Sequence, residues 1–173
     1  MSSKRYAIWY EPTGDIHHEL RETIAHWADK YHSPIFDPHI NLLPGGCALS
    51  QQQVVEKLSQ LIKKSETFTT TLLQLDKPPE FFRSIFIAVQ PSRELLSFAN
   101  QIQQEVNGCV AENYFPHLSL FYGDLPDAEK DLLISSVGKD YKKSFVLDKV
   151  DVIEYELNQP PETWKKVASI KIG

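Results

Sequence analysis

The stretch FPHLSLFY at residues 115–122 echoes, almost letter for letter, the stretch DPHINLL at residues 37–43. Both spell Pro-His-apolar-polar-Leu with the alternation of a half-buried strand. In an extended chain successive side chains face opposite ways. His39 and Asn41 therefore share one face while Ile40 and Leu42 take the other, and His117 and Ser119 share a face opposite Leu118 and Leu120. Each strand offers an imidazole and a short hydrogen-bonding group to one side.

Working outward, the same order of elements surrounds both phrases. YAIWYE at residues 6–11 reads as a strand closed by PTGD. Asp15 then stands as N-cap of a helix whose apolar residues Ile16, Leu20, Ile24, Trp27 and Tyr31 fall on one face, ended by Pro34. A strand over residues 38–43 follows. After Gly45-Gly46, Ser50 and Gln53 form a capping box, with Leu49 and Val54 placed as a hydrophobic staple, for a helix over residues 51–64. Strands are expected over residues 67–75 and 83–90 (RSIFIAVQ), with a DKPPE turn between them. Ser92 caps a helix that buries Leu95, Phe98, Ile102 and Val106 and stops at Asn107-Gly108. A strand over 116–122, a helix over 127–137 and two closing strands, 144–157 and 163–172, complete the chain.

Strand, Pro turn, helix, loop, Pro-His strand thus runs from residue 6 to 43 and again from 85 to 122. Pro12 is to Pro91 as His39 is to His117, within one residue of the same offset. The pattern implies a duplicated module: one bilobal α+β domain over residues 1–173, its half-lobes related by a pseudo-two-fold axis.

Bulk properties narrow the classes of function. The chain has 173 residues, 42% hydrophobic and 24% charged, with no low-complexity tract, so it should fold throughout. No apolar stretch approaches the roughly 20 residues that cross a bilayer, and MSSKRYAIWYEP carries too short an apolar run for a signal peptide. A cytoplasmic monomer without membrane association is expected. Cys47 and Cys109 make no disulfide framework and are read as reduced thiols. A net charge of -5 argues against clamping long nucleic acid, whose binding draws on Lys and Arg. It leaves room for a small anion in a local pocket.

Two imidazoles brought together by the repeat suit phosphodiester hydrolysis. Water enters opposite the departing alkoxide, so one imidazole takes the water proton and the other protonates the leaving oxygen. Asn41 and Ser119 would donate hydrogen bonds to the non-bridging oxygens. The rival is a metal site, with His39 and His117 as ligands and Asp37 on the face of His39. No HxH, HExxH or cysteine cluster completes such a set, so neither metal nor cofactor is expected. His17, His18 and His26 fall mostly off the apolar face of their helix, and Lys142-Lys143 and Lys165-Lys166 read as solvated faces. Gly45-Gly46 lacks P-loop context, and Ser119 lacks a GxSxG elbow.

On the two Pro-His phrases and their duplication, the sequence resembles the two-histidine (2H) phosphoesterase superfamily, marked by two H-x-[ST] motifs. Within it, the sequence is similar to the cyclic phosphodiesterases of plants and yeast that act in tRNA splicing. AIWYEP, FDPHI, FFRSIFIAVQ, YFPHLSLFYGDL, LDKV and PPETWKKVA extend the likeness over nearly the whole chain. The resemblance implies two antiparallel sheets with helices packed outside and a central groove. It implies His39 and His117 as the catalytic pair, Ser119 as a phosphate-binding hydroxyl, and Tyr122, Trp9 and Phe82 as substrate-binding aromatics. Tyr122 would reach the pocket only through a bulge or twist at the strand end.

Asn41 departs from the Ser or Thr of the motif; its amide still donates through nitrogen, but its oxygen would repel a phosphate. The implied substrates are ribose cyclic phosphates: nucleoside 2',3'-cyclic phosphates opened to 2'-phosphates, and ADP-ribose 1'',2''-cyclic phosphate opened to ADP-ribose 1''-phosphate. RNA ends or oligonucleotide signals are the alternative substrates, and a nucleotide-binding module without turnover is the alternative to an enzyme.

Overall fold

A computed structural model of the protein describes residues 4–173. Among the described residues eight strands form: β1 (Lys4–Tyr10), β2 (Ile40–Asn41), β3 (Phe68–Asp76), β4 (Ile85–Val89), β5 (His117–Phe121), β6 (Ser144–Leu147), β7 (Lys149–Glu156) and β8 (Lys165–Lys171). Between them stand α1 (Gly14–Tyr31), α2 (Gln51–Ile62), α3 (Arg93–Asn107) and α4 (Asp127–Val137). The class is α+β. The strands pair in the order β6-β3-β4-β5-β2-β1-β7-β8, antiparallel throughout.

The expected pair of sheets takes the form of two four-stranded halves joined edge to edge. The joint is β2 against β5, through the pair Ile40 and Leu118. Outward from it, β1 and β4 stand in matching positions. The strand residues that point away from the groove, Ile8, Ile40, Ile87, Leu118 and Leu120, are fully buried together with Leu58 and Ile102 from the helices. Helix α1 ties the halves further, since the Tyr31 hydroxyl donates to Glu129 of α4 at 2.7 Å and the Tyr141 hydroxyl donates to Glu19 at 3.1 Å.

Local chemistry accounts for most boundaries. The α2 capping box forms as expected: Gln53 N–H donates to Ser50 Oγ, and Ser50 N–H to Gln53 Oε1. Ser92 caps α3 by accepting from the Leu95 N–H, and Gly108 closes it in the left-handed region at φ 70°. Asp15 is not the cap of α1. The helix starts at Gly14 after Thr13, and Asp15 lies in the first turn, where its charge faces the positive helix end.

Other corrections concern the strands. β2 is shorter than residues 38–43, because Pro38 has no N–H and the Leu43 N–H is taken by the Asn41 side chain at 2.9 Å. β4 begins at Ile85, since Phe81–Arg83 form a 3-10 turn. The closing segment is three strands rather than two: at Asp148 the chain leaves β3, to which β6 is paired, and joins β1 as β7. No helix among the described residues is long and apolar enough to cross a membrane.

Because the halves meet on one residue pair, truncation there should cost more than an average core change. Ile40→Ala is expected to lose about 3 to 5 kcal/mol. In a urea-unfolding cycle with Leu118→Ala the losses should be non-additive, as contacting residues couple. Simple additivity would show that the joint is not a shared contact.

Candidate active site

The register at the joint assembles the polar groups. With Ile40 opposite Leu118, the neighbouring positions set His39 across from Ser119 and Asn41 across from His117. Side chains so placed are about 5 Å apart at Cβ. They open into a groove of about 770 Å3 whose lining includes Trp9, His39, Asn41, Phe82, His117, Ser119 and Tyr122. Every residue assigned to the site from sequence is thus brought to one groove.

The Pro-His spelling has a structural reason. His39 Nδ1 lies 2.7 Å from the Asp37 carbonyl, and His117 Nδ1 lies 2.9 Å from the Phe115 carbonyl, each two residues back across a proline. Proline fixes its own φ and keeps the residue before it extended, which turns that carbonyl toward the ring. A carbonyl only accepts, so each Nδ1 carries the proton and each Nε2 is left for a ligand.

The two imidazoles differ in their surroundings. His39 is 8% exposed and stacks on Trp9, ring centroids 3.6 Å apart and planes within 11°. Its pKa is lowered from 6.5 to about 4, chiefly by burial and in lesser part by the charge of His117, against the raising effect of the Asp37 carbonyl and carboxylate. His117 is partly buried. Its pKa is lowered by burial first, against the raising effect of the Phe115 carbonyl; among the charges, Arg83 lowers it and Glu80 raises it.

Asn41 meets the objection its sequence raised. Its Oδ1 accepts from the Leu43 N–H, so the amide oxygen is held in the backbone turn and the Nδ2 donor is the end left for the groove. Ser119 Oγ donates to the Phe82 carbonyl at 3.2 Å and meets the Tyr122 hydroxyl.

Tyr122 arrives by the anticipated irregularity. Phe86 pairs with Ser119 and Ile85 with Phe121, so Leu120 is an extra residue, a β-bulge. The Tyr122 ring then stacks on Phe36 at 3.8 Å. Phe82 is 61% exposed on the groove rim and is not core, whereas Trp9 is 6% exposed and serves as the backing of His39. Gly46 turns beneath the rim at φ +61°, where an added Cβ would lie 2.5 Å from the Tyr155 hydroxyl.

Sequence reading missed Trp164 and Tyr155, which also line the groove. Trp164 packs edge-on against Trp9 at 5.5 Å and against His39 at 6.4 Å. Its signal was the lone tryptophan of PPETWKKVA. Asp37 turns its carboxylate to Arg21. Among the described residues no group of three or more His, Cys, Asp or Glu side chains is arranged to hold a metal ion. His18 is exposed beside Glu22, and His17 contacts Glu11. Lys166 is not simply solvated: its Nζ lies 2.8 Å from Glu11 and 3.0 Å from the fully buried Asp151.

Comparison with known proteins agrees with this architecture. Residues 9–159 match the 2'-5' RNA ligase superfamily. The sequence is 21% identical to a cyclic phosphodiesterase of Arabidopsis thaliana, over 94% of this chain and 92% of that protein. Among solved structures, Escherichia coli LigT complexed with phosphate superposes with a TM-score of 0.62 at 17% identity, covering 98% of this chain and 97% of that one. A Thermus thermophilus protein, TT0787, superposes with a TM-score of 0.64 at 13% identity, with the same coverage.

The lowered pKa of His39 makes stability depend on pH. Between 6.5 and about 4 the unfolded chain binds a proton that the folded chain refuses, so this contribution is intact above 6.5 and is lost as pH falls toward 4. The loss is expected to total about 3 kcal/mol. Urea unfolding from pH 4 to 7 should therefore be less steep with pH in His39→Asn than in the native chain; equal slopes would contradict the burial effect.

Proposed function

The chain belongs to the 2'-5' RNA ligase superfamily, the two-histidine phosphoesterases, and from that premise we propose that this phosphoesterase opens five-membered cyclic phosphodiesters on ribose by metal-independent acid-base catalysis. The observation that carries the reading is the matched pair of imidazoles. Each is anchored through Nδ1 on a backbone carbonyl and has its Nε2 available to one groove. A phosphate between them has a base on one side and an acid on the other, as in-line displacement demands.

In this reading one Nε2 removes a proton from water as its oxygen attacks phosphorus. The bond to the opposite ring oxygen breaks, and the second imidazole protonates that oxygen. With O3' leaving, the product is a 2'-phosphate. The imidazole opposite the leaving oxygen is the base, so the direction of ring opening assigns the roles. Asn41 Nδ2 and Ser119 Oγ hold the non-bridging oxygens, the latter exchanging its bond to the Phe82 carbonyl for one to phosphate. Ring strain in the substrate lowers the barrier that the two imidazoles have to overcome.

Nucleoside 2',3'-cyclic phosphates and ADP-ribose 1'',2''-cyclic phosphate both present this ring. The likeness to a cyclic phosphodiesterase and the aromatic lining around the imidazoles support small substrates. A second reading, cleavage at RNA ends or of oligonucleotide signals, draws on the groove's length. Its roughly 770 Å3 extend past the imidazoles to Tyr155, Leu157 and Pro160, beyond what one cyclic mononucleotide fills.

Hydrolysis of nucleoside 2',3'-cyclic phosphates should proceed with EDTA present and yield the 2'-phosphate. His39→Ala and His117→Ala are each expected to lower kcat about 10²- to 10⁴-fold, and Asn41→Ala about 10²-fold. Loss of turnover to EDTA would overturn the metal-independent mechanism. Binding without turnover on the cyclic phosphates and on dinucleotides would leave a recognition module instead.

The kcat/KM profile should be a bell centred below pH 6.5, because both imidazoles hold protons less tightly than a free histidine. Its limbs would belong to the pair. A flat profile from pH 5 to 9 would count against the assignment.

A further inference from the structure

The two imidazoles sit in equivalent places but not in equivalent surroundings, and beyond their unequal burial one side chain outside the groove contributes to the difference. Arg83 closes the 3-10 turn Phe81–Arg83 just before β4. Its guanidinium carbon lies 5.6 Å from the ring centre of Phe86 and 5.7 Å from that of Phe115. These two rings meet edge to face at 5.6 Å, and they are the same rings that hold His117. Phe86 packs against the imidazole at 5.6 Å, and Phe115 lies nearly parallel to it at 5.9 Å, 16° between planes.

The placement leaves part of the guanidinium without a hydrogen-bond partner. Its Nε is buried and finds no acceptor among the described residues. One nitrogen of the fork pairs with Glu80, three residues back, at 2.5 Å. A guanidinium held over aromatic faces gains cation-π attraction, and its flat fork suits a corner of two rings in a way that an ammonium would not. His39 by contrast stacks directly on the uncharged indole of Trp9.

We propose that Arg83 is a positioning residue for His117: through the Phe86–Phe115 corner it fixes the plane of the imidazole, and its charge eases departure of the His117 proton, with Glu80 as the counterweight. This rests on the two-histidine reading for its consequence in catalysis, though not for its effect on His117 itself. The charged groups that act on His117 are Arg83 and Glu80 from the turn and its N-cap, and His39 across the groove when protonated. Ser119, Tyr122 and Asn41 face it uncharged.

The test is histidine NMR titration of the full chain, followed by pH–rate profiles on a nucleoside 2',3'-cyclic phosphate. Arg83→Gln should raise the His117 midpoint by about half a pH unit and Glu80→Gln should lower it by a similar amount. The His39 midpoint should move less in both. Arg83→Lys should keep the midpoint near its native value but lower kcat several-fold, because charge remains while the flat contact with the rings is lost.

The bell limb owed to His117 should move with the NMR midpoint. Thermal unfolding of each variant separates these effects from misfolding, and Glu80→Gln, an exposed change, keeps the test open if Arg83→Gln fails to fold. Shifts of the same sign in the Gln variants, or a His117 midpoint unmoved by either, would overturn the proposal. If the midpoints move as stated while the native chain turns over no cyclic phosphate, the proposal stands and the catalytic reading falls.

Discussion

One antiparallel residue pair, Ile40 with Leu118, carries two duties at once. On its buried side it closes the core where the four-stranded halves meet, and both side chains are fully buried. On its open side the flanking positions set each imidazole across from the other half's hydrogen-bonding residue. Strand periodicity allows no independent adjustment: a slip of one residue would turn the isoleucine and leucine into the groove and the histidines into the core. The apolar pair therefore enforces the polar constellation. Stability of the joint and geometry of the site are one constraint.

In the proposed mechanism the groove receives an anion, the phosphate, between its two imidazoles. Both imidazoles are held by carbonyls through Nδ1, yet burial keeps them neutral more strongly than those carbonyls favour the charged form. A phosphodiester supplies the counter-charge. At about 4 Å and an effective dielectric near 20, a unit charge is worth about 4 kcal/mol, comparable to the desolvation that depresses His39. In the proposed mechanism, binding of substrate would thus return part of the proton affinity that burial removes. Burial likewise disfavours the state in which both rings are charged and repel each other across the joint.

Much of this was legible in the residues themselves, for reasons that also mark where legibility stops. The PHxxL phrases stand out because alternation, proline placement and side-chain chemistry agree within a few residues. The capping box of α2 and the Gly108 stop are equally local. The bulge at Leu120 was readable only as a requirement, from the conflict between Tyr122 and strict alternation. Trp164 and Tyr155 went unassigned because β7 and β8 have no counterpart in the repeated module, so neither spacing nor symmetry pointed at them. The break at Asp148 was legible but passed over: the alternating apolar positions shift from odd (Phe145, Leu147) to even (Val150, Val152) there, and the two runs belong to opposite ends of the sheet. The orientation of the Asn41 amide depended on one backbone N–H at Leu43, and the placement of Arg83 on one ring from β4 and one from the segment before β5.

The fixed amide of Asn41 has a stereochemical meaning. A site with identical donors on its two halves would be carried onto itself by the pseudo-two-fold rotation, which exchanges the two non-bridging oxygens of a phosphate together with its entering and leaving positions. Such a site could not tell one prochiral oxygen from the other. In the proposed binding mode one oxygen would meet a carboxamide nitrogen whose partner oxygen is held by its own backbone, and the other a hydroxyl that turns from the Phe82 carbonyl to the ligand. The substitution that interrupts the motif also removes the degeneracy, so a sulfur placed on one oxygen or the other of the phosphate becomes a question with two different answers.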